Sequence, residues 1–559
     1  VLRGDCGTTV TLTFSEVLTL EGEINLAYLE PVGKDRAQRD EVVLSGSQEG
    51  DCFEPLFTIH GFRYVALTGL QYLPALSEVE AAIVSSQLSS PSSALAEFEC
   101  SDPRLNQLFR NTVWSFLGNF TDTATDCPTR ERSGWTGDLQ VFGSTAMLLA
   151  RDVQSFLRRY LRNLQAEQWP DGRIPPFIPS GDSTFGGVSW LSRLTASSVG
   201  WGDVNVLLPW QMYLHFGDTH VLERQYASME RWVGFLTGLA SNRRSWRRWL
   251  RAGPAGVEQY IVDTGFHWGE WLRPGETGLL SMVPNLFVWP SAAVPTAFLA
   301  ESSRILSKIA GVLGHPQDEA SYRDLAAHVR RAWAASFVRD GGRRIGHDKQ
   351  DDYVRAVTYD LVSGVEKEAA VGRLAELVQQ TGYHLGTGFL STASLVPTLC
   401  ENGHSEHAFR LLLQTTPPSW LYAVERGATT IWESWEGCSA DGRAVLSQNH
   451  YALGAVVDWL LRGLVGINAV SPGWRHVRIA PHIGGGITHA RASVNTNFGR
   501  LSCAWRLDGV TTGADVWIEL QVPPGTTADV QVADSSVYSV ASGAHRLQLS
   551  DGRWTAHEP

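Results

Sequence analysis

Thirteen residues, "DCPTRERSGWTGD" at positions 126–138, set Asp126, Arg130, Glu131, Arg132 and Asp138 among Cys127, Pro128, Gly134, Trp135 and Gly137. Only 19% of the chain is charged, and a solvated charge run seldom interleaves Cys, Pro, Trp and Gly. A packed core would reject so many charges. The composition is that of a pocket wall. Three further stretches also place carboxylates beside Trp and Gly. They are "WGDVNVLLPW" with Trp201 and Asp203, "DTGFHWGEWLRPGE" with Asp263, His267, Trp268, Glu270 and Trp271, and "GATTIWESWEG" with Trp432, Glu433, Trp435 and Glu436. The last is followed by His450 in "QNHYALGAVVDWL". Such parts suit cleavage of a glycosidic bond, which needs one protonated carboxyl for the leaving oxygen and one ionised carboxylate. A Trp wall raises an acid by desolvation, while polar neighbours keep its partner ionised. Aromatic faces stack on a sugar, and fixed Asp and Arg groups bond its hydroxyls. Taken singly, each stretch is equally well read as helix caps and surface ion pairs; together the four point to a pocket.

The elements that must position these residues follow from hydrophobic period. Residues 1–95 read as a β-domain, with alternation in "TTVTLTFSEVL" and "FEPLFTIHGFRYVALTGL". The Ser-rich "SSQLSSPSSALAE" is a connection. Residues 96–466 change to helical period: "SYRDLAAHVRRAWAASF" puts Leu325, Val329, Ala332, Trp333 and Phe337 on one face. Roughly a dozen such segments fit at ordinary helix lengths. Many helices with long intervening loops imply a helical ring, an (α/α)6 barrel, whose loops build a pocket at one end. Residues 467–559 return to strands in "HVRIAPH", "ASVNTNFGRLSCAWRLDG" and "ADVWIELQVPPGTTADVQV", read as a second β-sandwich.

Composition narrows the class of function. A net charge of −12 leaves no basic track for nucleic acid and disfavours anionic membranes. No window approaches the ~18 consecutive apolar residues of a membrane span. Seven scattered cysteines include no Cys-x-x-Cys pair, which argues against a zinc or redox site and mildly favours a reducing, cytoplasmic compartment. The chain begins at Val1 with neither Met nor an apolar leader, which is compatible with missing N-terminal residues. Twenty-one tryptophans suit pockets for ring-shaped polar ligands, with a share, Trp190 and Trp268 among them, assigned to core. Cys127 lacks an evident base partner and reads as a buried, inert thiol.

The motif at 126–138 closely resembles the catalytic signature of glycoside hydrolase family 78, the α-L-rhamnosidases, and the other stretches follow in that family's order. "FEPLFTIHGFRYVALTG" resembles its β-domain upstream of the barrel and "SPGWRHVRIAPH" the start of its C-terminal β-domain. The resemblance implies an (α/α)6 barrel flanked by β-sandwiches. It also implies inverting cleavage of terminal α-L-rhamnose, with neither a cofactor nor an active-site metal. Position by position, it implies Glu131 as general acid and Glu433 as the base that activates water. Asp126, Arg130, Trp135 and Asp138 are implied as rhamnose-binding groups, with Trp201, Asp203, Glu270, Trp271, Trp432 and His450 as further pocket positions. The expected partner is a rhamnose-containing glycoside, with no nucleic acid or membrane; a homodimer is compatible. Two departures stand out: Glu270 occupies a position where the family usually has Asp, and Ser434 follows the base where Arg is common. The alternatives are another inverting glycosidase or phosphorylase on the same helical ring, and a non-catalytic carbohydrate-binding derivative.

Overall fold

The computed structural model describes residues 1–30, 38–87, 95–180, 195–242, 256–276, 292–438, 444–509 and 515–558. Trp190 lies outside them. The N-terminal part forms a three-stranded antiparallel sheet in the order β2-β1-β3, from β1 (Thr9–Ser15), β2 (Arg39–Val43) and β3 (Tyr64–Thr68). Thr9 pairs with Val43, and Thr11 with Thr68. Leu2, Val10 and Leu44 make its small core. The alternation in "FEPLFTIHGFRYVALTGL" predicts a longer strand than the five residues observed. Pro55 has no N–H for a ladder, and Phe57 sits in the left-handed region at φ 60°.

Helices dominate from α1 (Pro103–Asn119), which starts on a proline with the Asp102 carboxylate accepting from the Arg104 N–H at 2.8 Å. There follow α2 (Thr136–Leu149), α3 (Val153–Glu167), α4 (Val204–Phe216), α5 (Thr219–Asn242), α6 (Ala293–Leu313) and α7 (Pro316–Phe337). After these come α8 (Gln350–Thr358), α9 (Val365–Gln380), α10 (Phe389–Glu401), α11 (Ser405–Leu412) and α12 (Trp420–Glu425). Two of them, α2 and α4, are buried along most of their length, as expected of helices surrounded by others. In α7 the predicted face holds: Val329, Ala332 and Trp333 are buried, with Leu325 and Phe337 half-buried. The last helical stretch is not one α-helix. It passes from 3₁₀ turns (Ala452–Val456) through one α turn (Val457–Trp459) to a π turn (Leu460–Leu464).

The C-terminal strands form two sheets. One has four strands, with His476–Ile479 parallel to Thr527–Val530. The other has six, and its edge strand is Glu97–Cys100, paired antiparallel with His489–Thr496. That edge strand falls in the segment the sequence reading grouped with the helices. Four residues are too short to carry a period, and the pairing is supplied by chain nearly four hundred residues away. One continuous core runs from the helices into these sheets, and the Trp505 indole N–H donates to the Leu464 carbonyl at 2.8 Å.

Candidate active site

The loop between α1 and α2 carries the first motif. The Asp126 N–H donates to the Ser133 carbonyl, and Asp126 Oδ1 accepts from the Ser133 N–H, both at 2.9 Å. Oδ2 accepts from the Cys127 thiol at 2.8 Å. The segment is thereby tied into a ring, with Arg132 in the left-handed region at φ 54°. Leu272 and Leu446, beside the third and fourth stretches, are left-handed too, and such conformations persist where surrounding structure enforces them. Burial, and then the charge of Glu131, push the Asp126 carboxyl well above its ordinary value. Burial likewise pushes the Cys127 thiol well up, so it stays protonated.

Closing this ring aims Arg130 and Glu131 at Glu433. Arg130 Nη2 donates to both oxygens of Glu433, at 2.7 and 2.9 Å, and lies 2.9 Å from Glu131 Oε1. One buried guanidinium nitrogen therefore bridges carboxylates from distant parts of the chain. The sharing is unequal. Glu433 also takes the Ser447 N–H at 3.0 Å, and its own N–H returns to the Ser447 carbonyl at 3.0 Å. Glu131 has instead the Trp135 indole N–H at 2.7 Å. Burial raises the Glu131 carboxyl above the usual range despite Arg130. Burial acts on Glu433 too, but Arg130, His450 and the Ser447 N–H together outweigh it and hold that carboxyl below the usual range.

An aromatic wall stands beside the pair. Trp268 meets Trp135 edge-on at 5.8 Å, Trp271 edge-on at 4.8 Å and Trp201 at 6.0 Å between ring centroids. Gly137 lets Trp201 close on the loop: a Cβ there would lie 2.5 Å from its ring. The indole N–H groups of Trp201 and Trp268 are buried and find no acceptor among the described residues, leaving two donors for a ligand. Trp268, read from the sequence as core, does pack on the core but is also the centre of this wall. Its stretch carried the signal; a lone Trp could not say which way it faced.

Asp138, in the first turn of α2, takes His450 Nε2 at 3.1 Å. Burial alone would lower the imidazole, but the Asp138 bond and charge, with Glu433 and Asp126 beyond, raise it to about 9. The Ala452 N–H donates to His450 Nδ1 at 3.4 Å. The Asp138 contact and the raised value favour the imidazolium and set His450 among the pocket carboxylates.

Two expected sugar-binding carboxylates have a different setting. Asp203 Oδ1 accepts from the Trp232 indole at 3.0 Å and the Ser302 hydroxyl at 2.5 Å, and Oδ2 from the Gly200 N–H at 2.7 Å. Glu270 Oε1 accepts from the Gly388 and Ser391 N–H groups at 3.1 and 2.8 Å. Its Oε2 takes the Ser391 hydroxyl at 3.0 Å and the Arg355 guanidinium. Both carboxylates are buried, Asp203 with three bonds and Glu270 with four, which hold the loops bearing Trp201 and Trp271. His267 does similar work: burial lowers it to about 4, and its Nδ1 accepts from the Val199 N–H at 3.3 Å. Trp432 is half-buried and meets Tyr422 edge-on at 6.4 Å, away from the four-indole wall. Asp263 is half-buried, four residues before His267.

This constellation can protonate one oxygen and activate a water opposite it. Three family models match the chain: bacterial α-L-rhamnosidase concanavalin-like domain over residues 2–85, six-hairpin glycosidase domain over 93–464 and C-terminal domain over 466–546. The chain belongs to the bacterial α-L-rhamnosidase family. It is 34% identical to an α-L-rhamnosidase of Streptomyces avermitilis over 98% of its own length and 50% of that protein. It is 33% identical to one of Formosa agariphila over 94% and 53%. Among solved structures, S. avermitilis α-L-rhamnosidase complexed with L-rhamnose superposes with a TM-score of 0.84 at 32% identity, covering 98% of this chain and 50% of that one. The Aspergillus terreus enzyme gives 0.84 at 30%, covering 98% and 60%. This rhamnosidase-family chain thus spans about half the length of the curated relatives it matches. Sequence reasoning missed Glu16 and Ser447, which pack behind Glu433; a Glu at a strand end and a Ser in a loop carry no signal of their own.

Proposed function

We propose that the chain releases terminal α-L-rhamnose from rhamnosides with inversion, Glu131 acting as general acid and Glu433 as general base. The observation that carries this reading is the unequal sharing of Arg130. Glu433 receives two of its bonds and is held ionised; Glu131 receives one, and burial favours its protonated form. A raised acid facing a lowered base is the arrangement glycosidic cleavage requires. The sugar lies against Trp135, Trp201, Trp268 and Trp271, with Asp126, Asp138 and His450 on the polar side. Each Asp126 oxygen carries one bond and keeps a lone pair for a hydroxyl. Asp203 and Glu270 hold the wall from behind.

An (α/α)6 barrel between β-sandwiches is the architecture that fits. Consecutive helices pack in pairs, and α10 meets the 452–456 turns, which in turn meet α2, so the series returns on itself. The stereochemistry rests on the family resemblance rather than on spacing. Oxygens 2.7 and 2.9 Å from one nitrogen are at most about 5.6 Å apart, and the carboxyl carbons behind them can be farther, so this contact is compatible with the ~6.5–9.5 Å between the carboxyls of an inverting pair without establishing it. Proton NMR in the first minutes of hydrolysis, before mutarotation, reads the outcome. β-L-Rhamnose appearing first supports the reading; α-L-rhamnose first would mean a covalent intermediate and different roles for both residues. A folded chain that turned over no α-L-rhamnoside would refute the activity itself.

A further inference from the structure

Beside the Ser447 that grips Glu433 lies a carboxylate that the cleavage chemistry does not use. Glu16 follows β1 of the N-terminal sheet and is buried against both catalytic loops. Its Oε1 accepts from the Thr129 hydroxyl at 3.0 Å, in the residue just before Arg130. Its Oε2 accepts from the Gln448 N–H at 2.7 Å, and the Ser447 hydroxyl lies 3.2 Å from both oxygens. Ser447 is the residue whose N–H and carbonyl grip Glu433. The contact is close along its length: a Cβ on Gly61 would lie 2.4 Å from Pro128, and the Gln38 amide reaches the Thr129 carbonyl at 3.4 Å.

We infer that Glu16 is a positioning residue for catalysis: it locks the loop of the acid to the loop of the base, so the N-terminal domain is a working part of the active site. This rests on the roles proposed above for Glu131 and Glu433. The physical argument is one of cost. A carboxylate buried beside another, far from any cation of its own, is unfavourable. Burial, with the charge of Glu433 added, pushes the Glu16 carboxyl up to about 7. A Gln or a hydrophobic residue would fill the space with less penalty. What the carboxylate alone supplies is acceptor capacity for three donors at once, from loops more than three hundred residues apart in sequence. Helix α1 supplies part of this link, its Ser115 hydroxyl accepting from the Ile431 N–H at 2.9 Å and its Asn119 amide donating to Asn449 at 3.1 Å; Glu16 adds the bonds to Thr129, Ser447 and Gln448. Small displacements of a catalytic group cost rate steeply, about a hundredfold for 1 Å.

The test is a double-mutant cycle on the full chain, using an aryl α-L-rhamnoside and inhibition by free L-rhamnose. Glu16→Ala should lower kcat about ten- to a hundredfold, while KM and the rhamnose inhibition constant change less than about threefold. Glu16→Gln keeps one acceptor oxygen for the Gln448 N–H but loses the second, so it should recover only part of kcat. Ser447→Ala, which keeps the backbone grip on Glu433, should lose several-fold, and the double variant should be little worse than Glu16→Ala because the two act in series. A melting temperature follows each variant. Wild-type kcat in folded Glu16→Ala, or strictly additive losses, would overturn the inference. If Glu16→Ala does not fold, Ser447→Ala and Thr129→Val decide: unchanged kcat in both overturns it, a selective kcat loss supports it. An unmutated chain with no rhamnosidase activity would instead overturn the parent reading, and this one with it.

Discussion

Replacing Arg130 with Met, close in length but uncharged, should move the whole pH profile of the enzyme to higher pH. Arg130 is buried, with one nitrogen within 2.9 Å of both Glu131 and Glu433, the proposed acid and base. Unit charges about 4 Å apart interact by about 4 kcal/mol at an effective dielectric near 20. Allowing half of that for water entering the vacated space leaves about 2 kcal/mol, or roughly thirtyfold in the ionisation of Glu433. The sign follows from the roles. Glu433 must be ionised, and its carboxyl lies below the usual range, so activity in the wild type persists through mild acid and is lost only as pH falls through that low value. Without Arg130 the value rises, and the acid limb moves up. Glu131 must be protonated, and Arg130 opposes its protonation, so the alkaline limb moves up as well. The assay is kcat/KM for an aryl α-L-rhamnoside from about pH 4 to 9, with thermal melts to confirm folding. The variant should lose several-fold near pH 5, approaching about thirtyfold only as pH falls below the wild-type value of Glu433, and progressively less toward pH 8. An unmoved acid limb, or a uniform loss at all pH values, would mean that Arg130 does not set the ionisation of the pair, and the division of roles would fall with it.

Glu131→Gln should remove most turnover of rhamnosides with poor leaving groups and much less with an activated aryl group, which needs little protonation; equal losses would sink the acid assignment. Trp135→Ala should raise KM and weaken inhibition by rhamnose several-fold, since a stacked aromatic contributes about 0.5–1.5 kcal/mol beyond its area; an unchanged inhibition constant with a lower melting temperature would make it core. For Asp138→Asn the observable is stability against pH. The His450 imidazole, raised to about 9 in the fold, adds stability that is fully present below its unfolded value near 6.5 and is lost as pH rises through about 9. The variant should therefore melt well below wild type at pH 6 and approach it at pH 10; a pH-independent gap would show that His450 is not charged.

Much of this protein was legible before any coordinates. Hydrophobic period separated strands from helices because burial on one face repeats every two residues or every 3.6, whatever the partner. It found β1, the buried face of α7 and the C-terminal hairpin of His489–Thr496 with Gly499–Asp508. It could not find Glu97–Cys100, whose only reason to be a strand is an edge nearly four hundred residues later. The four stretches of carboxylates beside Trp and Gly pointed to a pocket only together, since each alone reads equally well as helix caps and surface ion pairs. Composition could not rank their carboxylates. Asp203 and Glu270 sit in the same Trp–Gly company as Glu131 and Glu433, yet both are bonded by internal N–H groups and hydroxyls, and Glu270 by Arg355 as well. Whether a carboxylate faces a ligand or a backbone depends on which donors three-dimensional packing brings to it. The same holds for Arg130 between Glu131 and Glu433, and for Glu16 behind them. Those contacts span hundreds of residues, and the pKa values they set are properties of distance and burial, quantities that exist only once the chain has closed on itself.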